Sequence, residues 1–364
     1  MRKPARPFFS SGPTVKPLGW DAAQLGSSAL LNRNHRASVV EDALSGLIAR
    51  TRQLADIPHD YVLMFMPGSC TGAFEAACWA MLGPNPVDCL EFDPFGRAWS
   101  RDVIDELGID DSRRLIAPDG HIPDLGQINP AHDLVTVWNA TPTGVMLPGL
   151  PKPGEGLVFA DVTSAIFMAP LPWDQIDVAA FSAQKALGGE AQLGFLVLSP
   201  RAIERLDDGP YRPMPKLLRI SPFDQRWALG RMINTPSLLA LADWDMVLRW
   251  AEELGGAKAL QQKVAANFEV IQRSVSASQH LYFAVAPKIR SHISVTLTAA
   301  GYGSDRGRYA HVAERLADLG VAHDISGHRL AQPGLRIWCG PTVEADDLEA
   351  LMPWVEATVA EGVI

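Results

Sequence analysis

Lys185 lies in FSAQKALGGE, between two apolar runs, Val178 to Ala180 and Leu193 to Leu198. A lysine at a strand end can bury its stem and keep its ammonium in water. In a low-dielectric pocket the same amine sheds its proton and can attack an aldehyde as a Schiff-base lysine. About 24 residues upstream, LVFAD ends in Asp161, whose carboxylate either caps the following turn or holds a proton on a cofactor ring. Gly68, Ser69, Cys70, Thr71 and Gly72 lie between an apolar run and a helical pattern. Small residues there let backbone N–H groups converge on a phosphate, although such turns also serve as plain helix caps. A phosphate cup, then a carboxylate, then a lysine, each at a strand end, is the arrangement pyridoxal phosphate requires: the lysine takes the aldehyde carbon, the aspartate the ring nitrogen and the cup the phosphate. Trp99, after DPFG, is placed to stack on the ring or to fill the core, and Thr141, in WNATPTG, to donate to the ring's phenolic oxygen or to form a turn.

These groups need strands that end at one edge, and the chain has the pattern for it. Short apolar runs alternate with helical patterns from about residue 40 to 200, the mark of an α/β fold with a mostly parallel sheet covered on both faces. The expected strands are 61–66, 87–92, 134–138, 157–160, 178–181 and 193–198, with a helix over 71–82. A long helix over 236–254 stops at Gly255-Gly256. Beyond it the order changes to a helix near 257–274, strands near 281–285 and 292–297, then helix, strand and helix. The reading is a large cofactor-binding domain over 15–255 and a smaller α+β domain made of 1–14 and 256–364. Pro- and Gly-rich stretches at 148–156 and 207–216 read as surface loops.

The 364 residues, 47% of them hydrophobic, suffice for a sizeable core, and a net charge of -9 without a basic stripe argues against nucleic acid as the partner. Small-molecule substrates are expected. The four cysteines show no zinc-binding spacing and are too few for a disulfide framework, which fits a cytoplasmic protein. No stretch of about 18 uncharged apolar residues predicts a membrane span.

FSSGP at 9–13, NHR at 34–36, DVTSA from Asp161, SAQK..GGE, INTPS at 233–237, GHR at 327–329 and GLRIWCG at 334–340 occur in order along nearly the whole chain. Together they resemble the phosphoserine aminotransferase family, in its alphaproteobacterial and archaeal variety. The resemblance implies a class V aminotransferase of the fold type I pyridoxal-phosphate enzymes, working as a homodimer with active sites at the interface. It implies that an amino group moves from L-glutamate to 3-phosphohydroxypyruvate in a two-half cycle, giving O-phospho-L-serine and 2-oxoglutarate. Some members also take the phosphohydroxythreonine precursor of vitamin B6 synthesis.

By that resemblance Lys185 is the Schiff-base lysine and proton carrier, Asp161 partners the pyridine nitrogen, Trp99 stacks, and Thr141 meets the phenolic oxygen. Cys70, Thr71 and Gln184 fall where the family holds the cofactor phosphate, and Asn234 and Thr235 where the neighbouring subunit reaches it. His35 and Arg36 match the pair on the substrate phosphate, and His328 and Arg329 the pair near the substrate carboxylate. Cys70 and Ala186 depart from the commoner family residues. Three other readings stay open at this point: a different class V aminotransferase such as an alanine:glyoxylate enzyme, a cysteine desulfurase, and a non-catalytic cofactor-binding protein. Against the desulfurase, Cys339 sits in the apparent strand IWCG and should be buried.

Overall fold

A computed structural model describes residues 1–151, 154–209, 212–220 and 229–362. In chain order the first half comprises α1 (Ala22–Leu25), α2 (Ser38–Leu54), β1 (Val62–Pro67), α3 (Ser69–Met81), β2 (Val87–Glu91), α4 (Pro94–Arg101), β3 (Arg113–Ile116), β4 (Asp133–Val137), β5 (Asn139–Ala140) and β6 (Val145–Met146). It continues through β7 (Val158–Asp161), β8 (Val178–Ser182), β9 (Leu193–Leu198), α5 (Pro200–Asp208), α6 (Leu238–Leu254) and α7 (Gly256–Ala277). The chain ends with β10 (Leu281–Phe283), β11 (Ser294–Ala299), α8 (Arg306–Asp318), β12 (Leu335–Trp338) and α9 (Ala345–Glu361).

Seven strands form the main sheet in the order β1-β9-β8-β7-β4-β2-β3, in which only β9 runs against its neighbours. Strands β4, β7, β8 and β9 are buried along their whole length, as apolar runs covered on both faces must be. Alternate side chains divide between two cores. Leu63, Phe65, Phe181, Phe195 and Val197 face one core, and Met64, Met66, Ala180, Leu196 and Leu198 the other. In the first core the rings of Phe181 and Phe195 stack at 4.5 Å, and Trp244 of α6 packs 4.9 Å from Phe195. The parallel registers Val137↔Asp161 and Asp161↔Ala180 bring the C-terminal ends of β4, β7 and β8 to one edge. The reversed β9 starts there too, with Leu193 opposite Pro67 at the end of β1.

A second, antiparallel sheet, β10-β11-β12, packs with α7, α8 and α9. The N-terminal residues join it: Phe8 bridges His323, Trp338 donates to the Phe9 carbonyl at 3.2 Å, and Ala5 donates to Asp347 at 2.7 Å.

Three expectations change. Strand β3 has three exposed residues of four, so the short edge strand carries no apolar run to mark it. Helix α4 was not anticipated, yet its signals are in DPFGRAWSR: Asp93 accepts from Gly96 as N-cap, and Pro94 opens the first turn. The stretch 207–216 is not wholly a loop, since α5 extends to Asp208 and a single 3-10 turn starts at Lys216. Residues 152–153 and 210–211 of the two expected loops lie outside the described residues. Among the described residues no helix is long and apolar enough to cross a membrane.

Candidate active site

At the sheet edge, β1 gives way to Gly68 in the left-handed region (φ 79°), a conformation glycine adopts without a Cβ penalty. Ser69 follows with φ 60°, a strained value for a residue with a side chain. This sharp turn starts α3 at Ser69, so Cys70 and Thr71 lie in its first turn, where backbone N–H groups have no helical acceptor. The turn is held by close packing: a Cβ at Gly72 would sit 2.2 Å from the Pro67 carbonyl oxygen.

Asp161 ends β7 and is 8% exposed. One oxygen accepts from the Thr163 backbone N–H at 3.0 Å and the other from the Trp99 indole at 3.4 Å. Trp99 is buried on α4, its ring 4.6 Å from Phe74. The Asp93 carboxyl that caps α4 is also buried, and burial pushes its pKa up to about 7. Burial raises the Cys70 thiol well above its usual range, so Cys70 is a neutral, inert neighbour of Asp161 rather than a nucleophile.

Lys185 is half-buried in the turn after β8. Its Nζ donates to the Ser11 carbonyl at 2.7 Å and lies 3.4 Å from Thr141 Oγ1 and 5.9 Å from the centre of the Trp338 ring. Desolvation, reinforced by the Arg336 guanidinium, lowers its pKa to about 8 against the pull of Asp161. Thr141 follows β5, with its hydroxyl bonded to Ser164 and its carbonyl accepting from Ser294 at 3.0 Å. Gln184 adjoins Lys185, and its Oε1 is buried without a partner.

Arg336 on β12 went unsingled in the sequence. It is half-buried, and its Nε is shut away from water with no hydrogen-bond partner. A guanidinium in that state lacks an anion. His328 shares this wall, near Arg97, Arg329, Arg336 and Lys185, and burial beside these cations lowers its pKa. The imidazole stays neutral near pH 7 and accepts from the Leu330 N–H at 3.2 Å. Arg329 is exposed beside it. Arg97 and Arg306 hold the 328–331 loop by donating to the carbonyls of Leu330 and His328.

Cys70, Thr71, Trp99, Thr141, Asp161, Gln184 and Lys185 thus gather on one edge, with His328 and Arg336 facing them. Among the described residues, no hydrogen bond or ion pair joins His35, Arg36, Asn234 or Thr235 to this group. His35 and Arg36 line a cavity of about 430 Å³ with Lys216, Arg219, Arg231 and Ile233, which reaches Met66 and Pro67 at the end of β1. Asn234 follows Ile233 directly and has a buried Oδ1 without a partner. Cys339 is fully buried, which removes the nucleophile a desulfurase needs.

No family model matches the chain. It is 39% identical over 363 residues to a phosphoserine aminotransferase of Methanosarcina mazei, covering 98% of this chain and 97% of that one. Its fold is similar to phosphoserine aminotransferase from Bacillus circulans subsp. alkalophilus, with a TM-score of 0.82 at 20% identity and coverage of 98% and 99%. A pyridoxal-phosphate-bound phosphoserine aminotransferase from Trichomonas vaginalis superposes with a TM-score of 0.81 at 17% identity, covering 96% of this chain and 99% of that one. Full-length identity of this order, together with a lysine, a carboxylate and a helix N-terminus on one sheet edge, places the chain in the phosphoserine aminotransferase family.

Proposed function

We propose that the protein transfers the amino group of L-glutamate to 3-phosphohydroxypyruvate, with pyridoxal phosphate at Lys185. The observation that carries this is the Lys185 amine, held between the Ser11 carbonyl and Thr141 beside the Asp161 carboxylate, with its basicity already lowered. The residues present fit the cofactor. The first-turn N–H groups of Cys70 and Thr71, which have no helical acceptor, and the Gln184 carboxamide beside Lys185, whose NH2 can donate, are polar groups suited to a phosphate. The first turn of α3 would take the phosphate, Asp161 the ring nitrogen, Trp99 a ring face and Thr141 the phenolic oxygen. Bound there, pyridoxal phosphate supplies an electron sink for the bond broken at the substrate Cα.

The chain's own groups do the rest. Both Asp161 oxygens are already fixed, so the carboxylate meets its partner without reorganising. Lys185 must take and return a proton, which needs a neutral amine. At pH 8 a pKa near 8 leaves half the amines neutral, whereas the ordinary value of 10.5 would leave roughly 0.3%. Arg336, whose Nε has no partner, is placed to grip the carboxylate common to every substrate, with His328 and Arg329 beside it. Buried, pre-placed cations favour anionic substrates.

His35 and Arg36 serve the substrate phosphate in this reading, reaching it from the neighbouring subunit of a homodimer, which is supported by their lining a cavity in their own chain that does not include Lys185 or Asp161. Asn234, whose Oδ1 is buried without a partner, and Thr235 serve the cofactor phosphate from the neighbouring subunit in the same reading. Two structural units are proposed on the expected boundaries, 15–255 and 1–14 with 256–364, supported by the docking of residues 5–9 on the second sheet. A cytoplasmic location is likewise proposed, supported by four free, buried cysteines.

Lys185 should cost the cofactor-free chain stability. Its folded pKa is depressed, so its neutral form is tolerated above pH 10.5 and a penalty develops as pH falls toward 8. Replacing Lys185 by Met should therefore stabilise the apo protein by up to ~3 kcal/mol below pH 8, with the gain fading toward pH 10.5 in denaturant titrations, while abolishing turnover. Substrate roles separate by single-turnover kinetics of each half-reaction. Arg336→Gln should weaken the glutamate and phosphoserine halves together. Arg36→Leu should cost about 1.5 to 3 kcal/mol, roughly tenfold to more than a hundredfold in kcat/KM, mainly with the phosphorylated substrates. Equal losses in both halves for Arg36→Leu would remove the phosphate assignment. Mixing inactive Lys185→Ala chains with impaired Asn234→Ala/Thr235→Ala chains should regenerate activity; a monomer by sedimentation at working concentration would contradict the shared site.

A further inference from the structure

The glycines behind Lys185 and the segment 11–16 form one device. Residues 11–16 lie along the 183–190 loop: Thr14 N–H donates to the Gln184 carbonyl at 3.0 Å, and the Thr14 hydroxyl donates to the Lys185 carbonyl at 2.5 Å. The approach is so close that a Cβ at Gly188 would sit 2.5 Å from the Val15 oxygen, and one at Gly12 would sit 2.9 Å from Lys185 Cε. This segment carries the Ser11 carbonyl that holds the amine.

Asp243, fully buried on α6, fastens the far end of both pieces. Its Oδ1 accepts from Lys16 Nζ at 2.8 Å and from the Trp20 indole at 2.9 Å, and its Oδ2 accepts from the Glu190 N–H at 2.7 Å. Lys16 closes the triangle by pairing with the Glu190 carboxylate at 2.8 Å. Next to Asp243, Trp244 packs on the same loop, where a Cβ at Gly189 would lie 3.2 Å from its ring. A buried carboxylate with three donors is a fixed post, because losing any donor leaves charge unsatisfied.

We propose that Asp243 is a positioning residue for Lys185: through Lys16 and Glu190 it clamps residues 11–16 against the 183–190 loop and so keeps the Ser11 carbonyl on the amine. The proposal rests on Lys185 being the reactive lysine. The clamp also keeps water from an amine that is faced by Arg336 on β12, Asp161 on β7, Cys70 on α3, Asp93 before α4 and His328 in its loop. Loosening it hydrates the ammonium and returns its pKa from about 8 toward 10.5.

The test is pulsed acetylation of the cofactor-free full-length chain across pH, read at the Lys185 peptide by mass spectrometry, beside half-reaction kinetics of the loaded enzyme. Asp243→Asn should move the Lys185 labelling midpoint up by about one pH unit and lower kcat in both halves alike with KM little changed. Lys16→Gln/Trp20→Phe, which leaves the buried carboxylate and its Glu190 bond in place, should do the same should Asp243→Asn fail to fold. Lys16→Arg, which keeps the pair, should restore the wild-type midpoint. Folded variants with an activated Lys185 and an unmoved midpoint overturn the clamp alone, even when stability falls. A wild-type Lys185 whose labelling midpoint coincides with that of the exposed lysines overturns the lowered basicity on which the Lys185 assignment rests, and the clamp with it.

Discussion

Holding an amine out of water without giving it a full counter-charge is the constraint on which the rest of this structure depends. An ammonium at Lys185 is disfavoured by burial and by Arg336, and Asp161 compensates only in part. The amine is therefore poised between two protonation states, as a group that must both give and receive a proton has to be. Such a group destabilises its own site, so rigid elements must surround it. The stacked Phe181 and Phe195, the docked Trp244 and the fully buried strands provide that rigidity directly beneath the edge.

The chemistry is divided among elements with different duties. Parallel strands bring Asp161 and Lys185 to the edge, and the strained turn at Gly68 and Ser69 points the start of α3 at the same space. The second sheet contributes Arg336 from β12, and the 328–331 loop brings His328 to the same wall, tied by Arg97 from α4, the helix that also carries Trp99. A single helix thus links the residue beside the Asp161 carboxylate to the 328–331 loop.

Much of this was legible because it rests on local pattern. Apolar runs located the buried strands, and small residues before a helix located the sharp turn that opens α3. Arg336 was not legible, because in LRIW it reads as the ordinary polar position of a half-buried strand. Its importance comes from what lies across the cleft, which no local pattern encodes. Helix α4 was not legible although its cap and proline were present, because its eight residues make barely two turns, too few for the buried face of Gly96, Trp99 and Ser100 to repeat as a period. FSSGP was recognisable as a motif, yet its contact with Lys185 spans 174 residues of chain and appears only in three dimensions. His35 and Arg36 were legible as a pair, but not their setting, a cavity shared with Lys216, Arg219 and Arg231 that reaches Pro67 at the end of β1.

The central claim is that Lys185, and no other lysine, takes the cofactor. It is tested most directly by hydride reduction of the cofactor-loaded enzyme, followed by digestion and peptide mass mapping. The reduced cofactor should appear as a covalent adduct on the peptide containing Lys185, at close to one per chain. An adduct on Lys16, Lys216 or any other lysine, or no retained adduct at all, would contradict it.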